Sequence, residues 1–177
     1  MSDPEDFTMH DFNTMAAKDL RPRLLALTSA PEWADELLAR RPHDDLAMLL
    51  AASDDLVLAL SEEQVDAALS GHPRIGEKAI GLDEESAARS AREQSGMSQA
   101  DASLQQAMAR GNIDYEERFG RIYLVAAAGR SAEDLLGYLD DRLDNDPDAE
   151  LGVVRGELAL ITRLRLTALV QPAPRQR

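Results

Sequence analysis

Leucine and alanine at helical spacing, broken at intervals by proline and glycine, constrain this chain more than any other feature. Met15, Leu20, Leu24, Leu25 and Leu27 form one such set. Trp33, Leu37 and Leu38 form a second, and Leu46, Leu49, Leu50 and Leu56 a third. Apolar residues recurring every three or four positions are the signature of a helix with one buried face. A sandwich or barrel would instead be rich in Val, Ile, Tyr and Phe, and aromatics here are only 4%. The expected fold is all-α, a single-domain multi-helix bundle, because 177 residues suit one domain with a real core.

Punctuation places the elements. Asn13 is expected to cap the first helix, and Pro22 to start a new one, because an interior proline removes a hydrogen bond. Pro31 suits the first position of a helix that ends before Pro42. A third helix is expected near Asp44. Ser61-x-x-Gln64 reads as a capping box for a short fourth one ending by Gly71. Residues 71–82 hold three glycines and a proline and read as an irregular loop. Helix is expected again from Asp83 to about Ser95, with Gly96 as its stop. A longer one runs from Ser98 towards Phe119, weakened in the middle by Gly111 and Asn112. Residues 121–128 form the one strand-like stretch. With no partner strand, they read as extended or as the start of a helix. Residues 131–143 and 148–170 are the last two helices. Residues 1–12 are expected to be a disordered N-terminal segment, 13–170 the helical domain and 171–177 a disordered tail.

Charge narrows the partners. A formal net charge of -14 repels phosphate backbones and anionic membranes, so nucleic acid and membrane surfaces are not expected. An anionic substrate then needs its own local Arg or His. The chain has no cysteine, which excludes disulfides, thiolate catalysis and Cys-ligated zinc. His-x-x-x-His is absent and no carboxylate run has calcium-loop spacing, so no metal is expected. Residues 1–11 are acidic and do not read as a signal peptide. No apolar run is long enough for a bilayer, and the expected location is cytoplasmic.

The chemistry concentrates in one loop and the helix after it. The loop reads Gly71-His72-Pro73-Arg74-Ile75-Gly76. Pro73 excludes His72 from helical geometry and stiffens the loop. The imidazole, with a reference pKa of ~6.5, can exchange a proton near neutrality; the bland alternative is a loop histidine without a role. Ser90, Glu93 and Gln94 stand at i, i+3 and i+4, on one helix face. They can offer a hydroxyl, a carboxylate and an amide to one ligand, or be an ordinary solvated face. Arg165 lies among apolar positions of the last helix and should be paired or hold an anion, unless it snorkels. Arg163 competes for that role. Tyr115, Phe119 and Tyr123 cluster around Arg118-Phe119-Gly120-Arg121, and Phe119 and Trp33 read as core. His10 and His43 have no ligand-spaced partner.

These motifs resemble the family of 2-oxo-4-hydroxy-4-carboxy-5-ureidoimidazoline (OHCU) decarboxylases. His72-Pro73-Arg74-Ile75-Gly76 is similar to the family's His-Pro loop, and Ser90-x-x-Glu93-Gln94 with Gly96 to its Ser-x-x-Glu-Gln helix. Asn112-x-x-Tyr115-x-x-x-Phe119-Gly120 is similar to its Asn-Tyr-Phe-Gly segment, and Leu164-Arg165-Leu166 to its terminal Leu-Arg-Leu. Glu32-Trp33 and Arg41-Pro42 echo its N-terminal half. The order extends from about Asn13 to Val170. Three positions depart: Arg121 stands where the family often has an aromatic, Tyr123 replaces a common Phe, and His43 follows Arg41-Pro42 where many members have Phe.

The resemblance implies an all-helical homodimer that decarboxylates OHCU to (S)-allantoin in urate breakdown, without a cofactor. It implies His72 and Glu93 as the acid/base pair. Ser90 and Gln94 would bond the ureido and ring amides, Arg165 would grip an anionic or carbonyl oxygen, and Pro73, Tyr123 and Val125 would complete the pocket. Two rivals remain at this point: a non-catalytic helical interaction module, which predicts an apolar groove and no polar pocket at His72, and a related helical enzyme acting on another ureide.

Overall fold

A computed structural model describes residues 7–77, 84–98 and 100–170. Ten helices follow in order: α1 Met9–Thr14, α2 Ala17–Leu27, α3 Pro31–Ala39, α4 Leu46–Leu58, α5 Glu62–Leu69, α6 Glu84–Glu93, α7 Ser95–Ser98, α8 Ala102–Phe119, α9 Ala132–Leu143 and α10 Pro147–Val170. The described residues contain no strand. None of these helices is long and apolar enough to cross a membrane.

Most starts obey the local chemistry. Asp45, Ser61, Asp101 and Ser131 each accept a hydrogen bond from the backbone N–H three residues on. That satisfies one of the donors every helix start leaves open. Ser61 with Gln64 forms the expected capping box, and Pro31 opens α3.

Several expectations need correction. Asn13 caps nothing. Thr8 caps α1, so residues 9–12 are helical rather than disordered, with Phe12 fully buried. The Asn13 amide instead bonds both backbone groups of His43 at 2.9 Å, tying α1 to the chain after α3. Pro22 starts no helix; it lies inside α2. It forgoes one N–H bond, and the burial of Leu20, Leu24 and Leu27 on the same helix outweighs that loss. Gly96 does not stop a helix; it lies within α7, and a Cβ there would meet the Arg130 carbonyl oxygen at 2.3 Å. Gly111 leaves α8 unbroken. Its missing side chain lets α9 approach, since a Cβ would sit 2.1 Å from Leu139 Cδ2. α8 starts after Asp101 rather than at Ser98. The expected start at Asp83 and the tail at 171–177 lie outside the described residues.

Two cores share the molecule. The first gathers α2–α5 around α10 and includes Trp33, Leu37, Leu49, Val57 and Leu158. The second sits between α8 and α9 and takes in Ile75, Met97, Met108, Tyr115 and Leu135. Residues 122–127 run between them. Ile122, Leu124 and Ala126 pack into the first core; Tyr123, Val125 and Ala127 pack into the second. That period of two marks an extended chain. It settles the open reading of 121–128 in favour of an extended segment, a septum buried on both faces.

α10 is the axis of this arrangement and carries three buried charged side chains, Glu150, Glu157 and Arg165. Their spacings of seven and eight residues keep them near one face. Glu150 bonds Arg142 and Tyr115. Glu157 bonds the septum, and Arg165 bonds α6 and the end of α2.

Candidate active site

The 71–77 loop is pinned before it can hold anything. Arg74 pairs with Glu116 of α8 through one guanidinium edge, its Nε and an Nη donating to the two carboxylate oxygens. The Ile75 carbonyl accepts from Asn112 at 2.9 Å, and the Gly76 N–H donates to Gln94 Oε1 at 2.9 Å. Gly76 adopts φ of 86°, a left-handed turn suited to glycine. The loop therefore presents His72 from a frame fixed by α6 and α8.

α6 is fixed from the other side. Arg165 on α10 donates from Nε and one Nη to the two Glu93 oxygens at 2.9 and 2.7 Å, a bidentate fork. Its other Nη donates to the Leu27 carbonyl at 2.8 Å. Arg89 on α6 donates to the neighbouring Ala26 carbonyl at 2.9 Å. Two cations thus sit on the open C-terminal carbonyls of α2, where charge and orphan acceptors both favour them.

These elements line one pocket. His72 and Pro73 line it from the loop; Ser90 and Glu93 from α6, with Gln94 just after it; residues 123–128 from the septum; Ile161, Leu164 and Arg165 from α10. All eight residues singled out for the site from sequence meet there. Arg163 does not: it pairs outward with Asp54 of α4 at 2.7 Å.

The electrostatics differ from the expectation at His72. The ring keeps some surface towards the pocket, yet protein crowds it on its other sides. Burial, with the nearby Arg165 charge adding to it, pushes its pKa down to about 3. His72 is thus a neutral imidazole, not a group poised to titrate near neutrality. Arg165 also differs. Three of its N–H groups are engaged by protein acceptors, so its first effect is to orient Glu93 rather than to grip a ligand. Gln94 has committed its oxygen to Gly76, and among the described residues its NH2 bonds nothing. The Tyr123 hydroxyl is spent on the Leu135 carbonyl at 3.0 Å, so this residue contributes its ring edge and backbone.

The three departures from the family pattern have simple places. Arg121 bonds Asp66 and Glu62 of α5 away from the pocket. His43 is buried with its ring edge against Phe12, its Nε2 3.2 Å from the Leu37 carbonyl. Tyr123 packs in the second core, beside Tyr115 and Phe119.

Sequence reasoning missed the residues that hold the septum. Arg142 donates to the Leu124 carbonyl at 2.7 Å, and Glu157 accepts the Ala126 N–H at 2.7 Å. Both are buried. The available signal was a charged residue at an otherwise apolar helix face, the one that singled out Arg165.

Fold and pocket together define an all-helical protein with a small polar cavity built around an imidazole and a clamped carboxylate. The model of the OHCU decarboxylase family matches residues 13–167, and the chain belongs to that family. The uric acid degradation bifunctional protein TTL of Arabidopsis thaliana is 36% identical over 104 residues, 58% of this chain and 32% of that protein. The uric acid degradation bifunctional protein PucL of Bacillus subtilis is 28% identical over 167 residues, 93% of this chain and 33% of that protein. The chain thus spans about a third of the length of these curated relatives. A crystal structure of an OHCU decarboxylase in the presence of (S)-allantoin superposes with a TM-score of 0.71 at 23% identity, covering 84% of this chain and 96% of the other. At that identity the superposition speaks for the fold.

Proposed function

We propose that this chain decarboxylates OHCU to (S)-allantoin in urate breakdown, without a cofactor. The observation that carries the reading is the convergence of His72, Ser90, Glu93, Gln94 and Arg165 on one small pocket, with Glu93 held by a two-point fork.

The substrate supplies its own electron sink. Its carboxylate sits on a carbon next to a C=N bond. When the C–CO2 bond breaks, its electron pair moves towards that C=N. The ring nitrogen of the former C=N takes up a proton, the hydroxyl loses its own as its carbon becomes a ring carbonyl, and the former imine carbon receives a proton on one face. The protein must orient the ring, stabilise the developing charge and deliver the proton to a single face.

In this reading the neutral His72 accepts from the substrate hydroxyl. Burial and, second to it, the Arg165 charge depress His72, and a bound carboxylate opposes the second of these. Glu93, fixed by Arg165, assists and serves the carbon that is protonated. Ser90 and the Gln94 NH2 meet the ureido and ring amides. The septum backbone at Tyr123 and Val125 meets the ring, and Pro73 packs beside it. A polar pocket at His72 is what an interaction module would lack. The reading also carries a homodimer and a cytoplasmic place of action.

The test is direct. Urate is oxidised and the hydroxyisourate hydrolysed in situ, the protein is added, and circular dichroism is followed. Fast appearance of optically active allantoin supports the function. Slow racemic product, unchanged by the protein, rejects it.

A further inference from the structure

The septum is an extended chain with no partner strand among the described residues, so its backbone groups need other acceptors and donors. In an extended chain the N–H and C=O of one residue point to one edge and those of the next residue to the other. The Leu124 carbonyl goes to Arg142 at 2.7 Å, and the Ala126 N–H goes to Glu157 at 2.7 Å. These two groups belong to the same edge, turned towards α9 and α10. Val125 belongs to the opposite edge. Among the described residues nothing bonds its N–H or carbonyl, and it lines the pocket.

The two clamps are themselves braced. Arg142 also bonds Glu150 through Nε at 2.8 Å, and its guanidinium lies 4.9 Å from the centre of the Tyr123 ring. Glu157 accepts the Tyr138 hydroxyl at 3.0 Å through its second oxygen. Neither side chain lines the pocket. Each is a buried charge, costly unless it is paired and needed.

We propose that Arg142 and Glu157 are positioning residues for the reaction: they hold the 124–126 backbone by its inner edge so that Val125 presents both its N–H and its C=O to the ring of a bound cyclic ureide. The proposal rests on the decarboxylase reading of the pocket. It names the ligand feature selected, an adjacent ring N–H and C=O that pair with one residue as two strands do. It also explains why an apolar septum between two cores is anchored by charged groups.

The test compares Glu157→Leu, which removes both acceptors, with Glu157→Gln, which keeps a carbonyl acceptor for Ala126. Tyr138→Phe releases the second carboxylate oxygen and is mild enough to fold. Ring binding by Val125 is made in ground state and transition state alike, so its loss raises KM and spares kcat. The expected result for Glu157→Leu is KM raised ~10-fold or more with kcat within ~3-fold of the parent, and Glu157→Gln close to the parent. Tyr138→Phe should fall between, with KM up ~3-fold. As an independent readout, the Val125 amide resonance should shift on adding (S)-allantoin to the parent and to Glu157→Gln, and much less in Glu157→Leu. An active parent whose variants keep its KM and its Val125 shift, losing only thermal stability, overturns the positioning role. If Glu157→Leu fails to fold, an unchanged KM in Tyr138→Phe does the same. A parent without turnover rejects the decarboxylase reading instead, and this proposal with it.

Discussion

The fork between Arg165 and Glu93 should behave as one unit, and a double-mutant cycle can weigh it. The perturbations are Glu93→Gln, Arg165→Met and the pair together. Two charge-assisted bonds of 2.9 and 2.7 Å join the side chains, and bonds to charged groups contribute about 1.5–3 kcal/mol each. The Glu93 side chain is 26% exposed, so water competes for it, while Arg165 is only 8% exposed. Fully exposed pairs retain about 0.2–1 kcal/mol. The site lies between these limits, and the expected coupling is about 2 kcal/mol, close to thirty-fold in an equilibrium constant. Urea unfolding of the four proteins at pH 7 measures it directly. Glu93→Gln alone should be costly, because it leaves a buried guanidinium without its counter-charge. The double variant should recover part of that loss. Turnover should be non-additive too, the two single variants losing about as much as the pair. A coupling within ~0.5 kcal/mol of zero would show that the fork is incidental to both stability and site.

Further outcomes follow from particular groups. His72→Ala and Glu93→Ala should each lower turnover at least ~10²-fold while far-UV dichroism stays helical, in the allantoin assay above; normal rates in either would remove it from the acid/base pair. Because the folded His72 pKa lies near 3, below its unfolded value of 6.5, the unfolded chain binds the extra proton first. This group's contribution to stability is present above pH 6.5 and is lost as pH falls from 6.5 towards 3. Ring NMR should find His72 neutral at pH 5, and a midpoint near 6.5 would contradict the burial argument. Gly96→Ala should destabilise by about 1–3 kcal/mol, despite alanine's better helix propensity, because the added Cβ meets a backbone carbonyl oxygen at 2.3 Å that cannot swing away. A neutral or stabilising result in thermal melts would mean that α7 sits farther from Arg130.

Much of the fold was legible because its causes are local. Leu46, Leu49 and Leu50 repeat at helical spacing, and Ser61 with Gln64 closes a cap within four residues of chain. Where expectation failed, a distant group had intervened. Asn13 looks like a cap but serves His43, thirty residues on. Gly96 and Gly111 look like helix breakers but allow Arg130 and Leu139 to approach.

The site divides the same way. By itself the sequence determined an all-helical chain, a rigid His72 loop and a helix face carrying Ser90, Glu93 and Gln94, since each depends on neighbours a few residues apart. Only the tertiary structure decided that Arg165 grips Glu93, that His72 is held neutral, and that Arg142 and Glu157 seize the septum. Those outcomes depend on burial and on contacts across up to 138 residues of chain. Desolvation and pairing of charge have no trace in local spacing, because they arise only when the two cores close around the pocket.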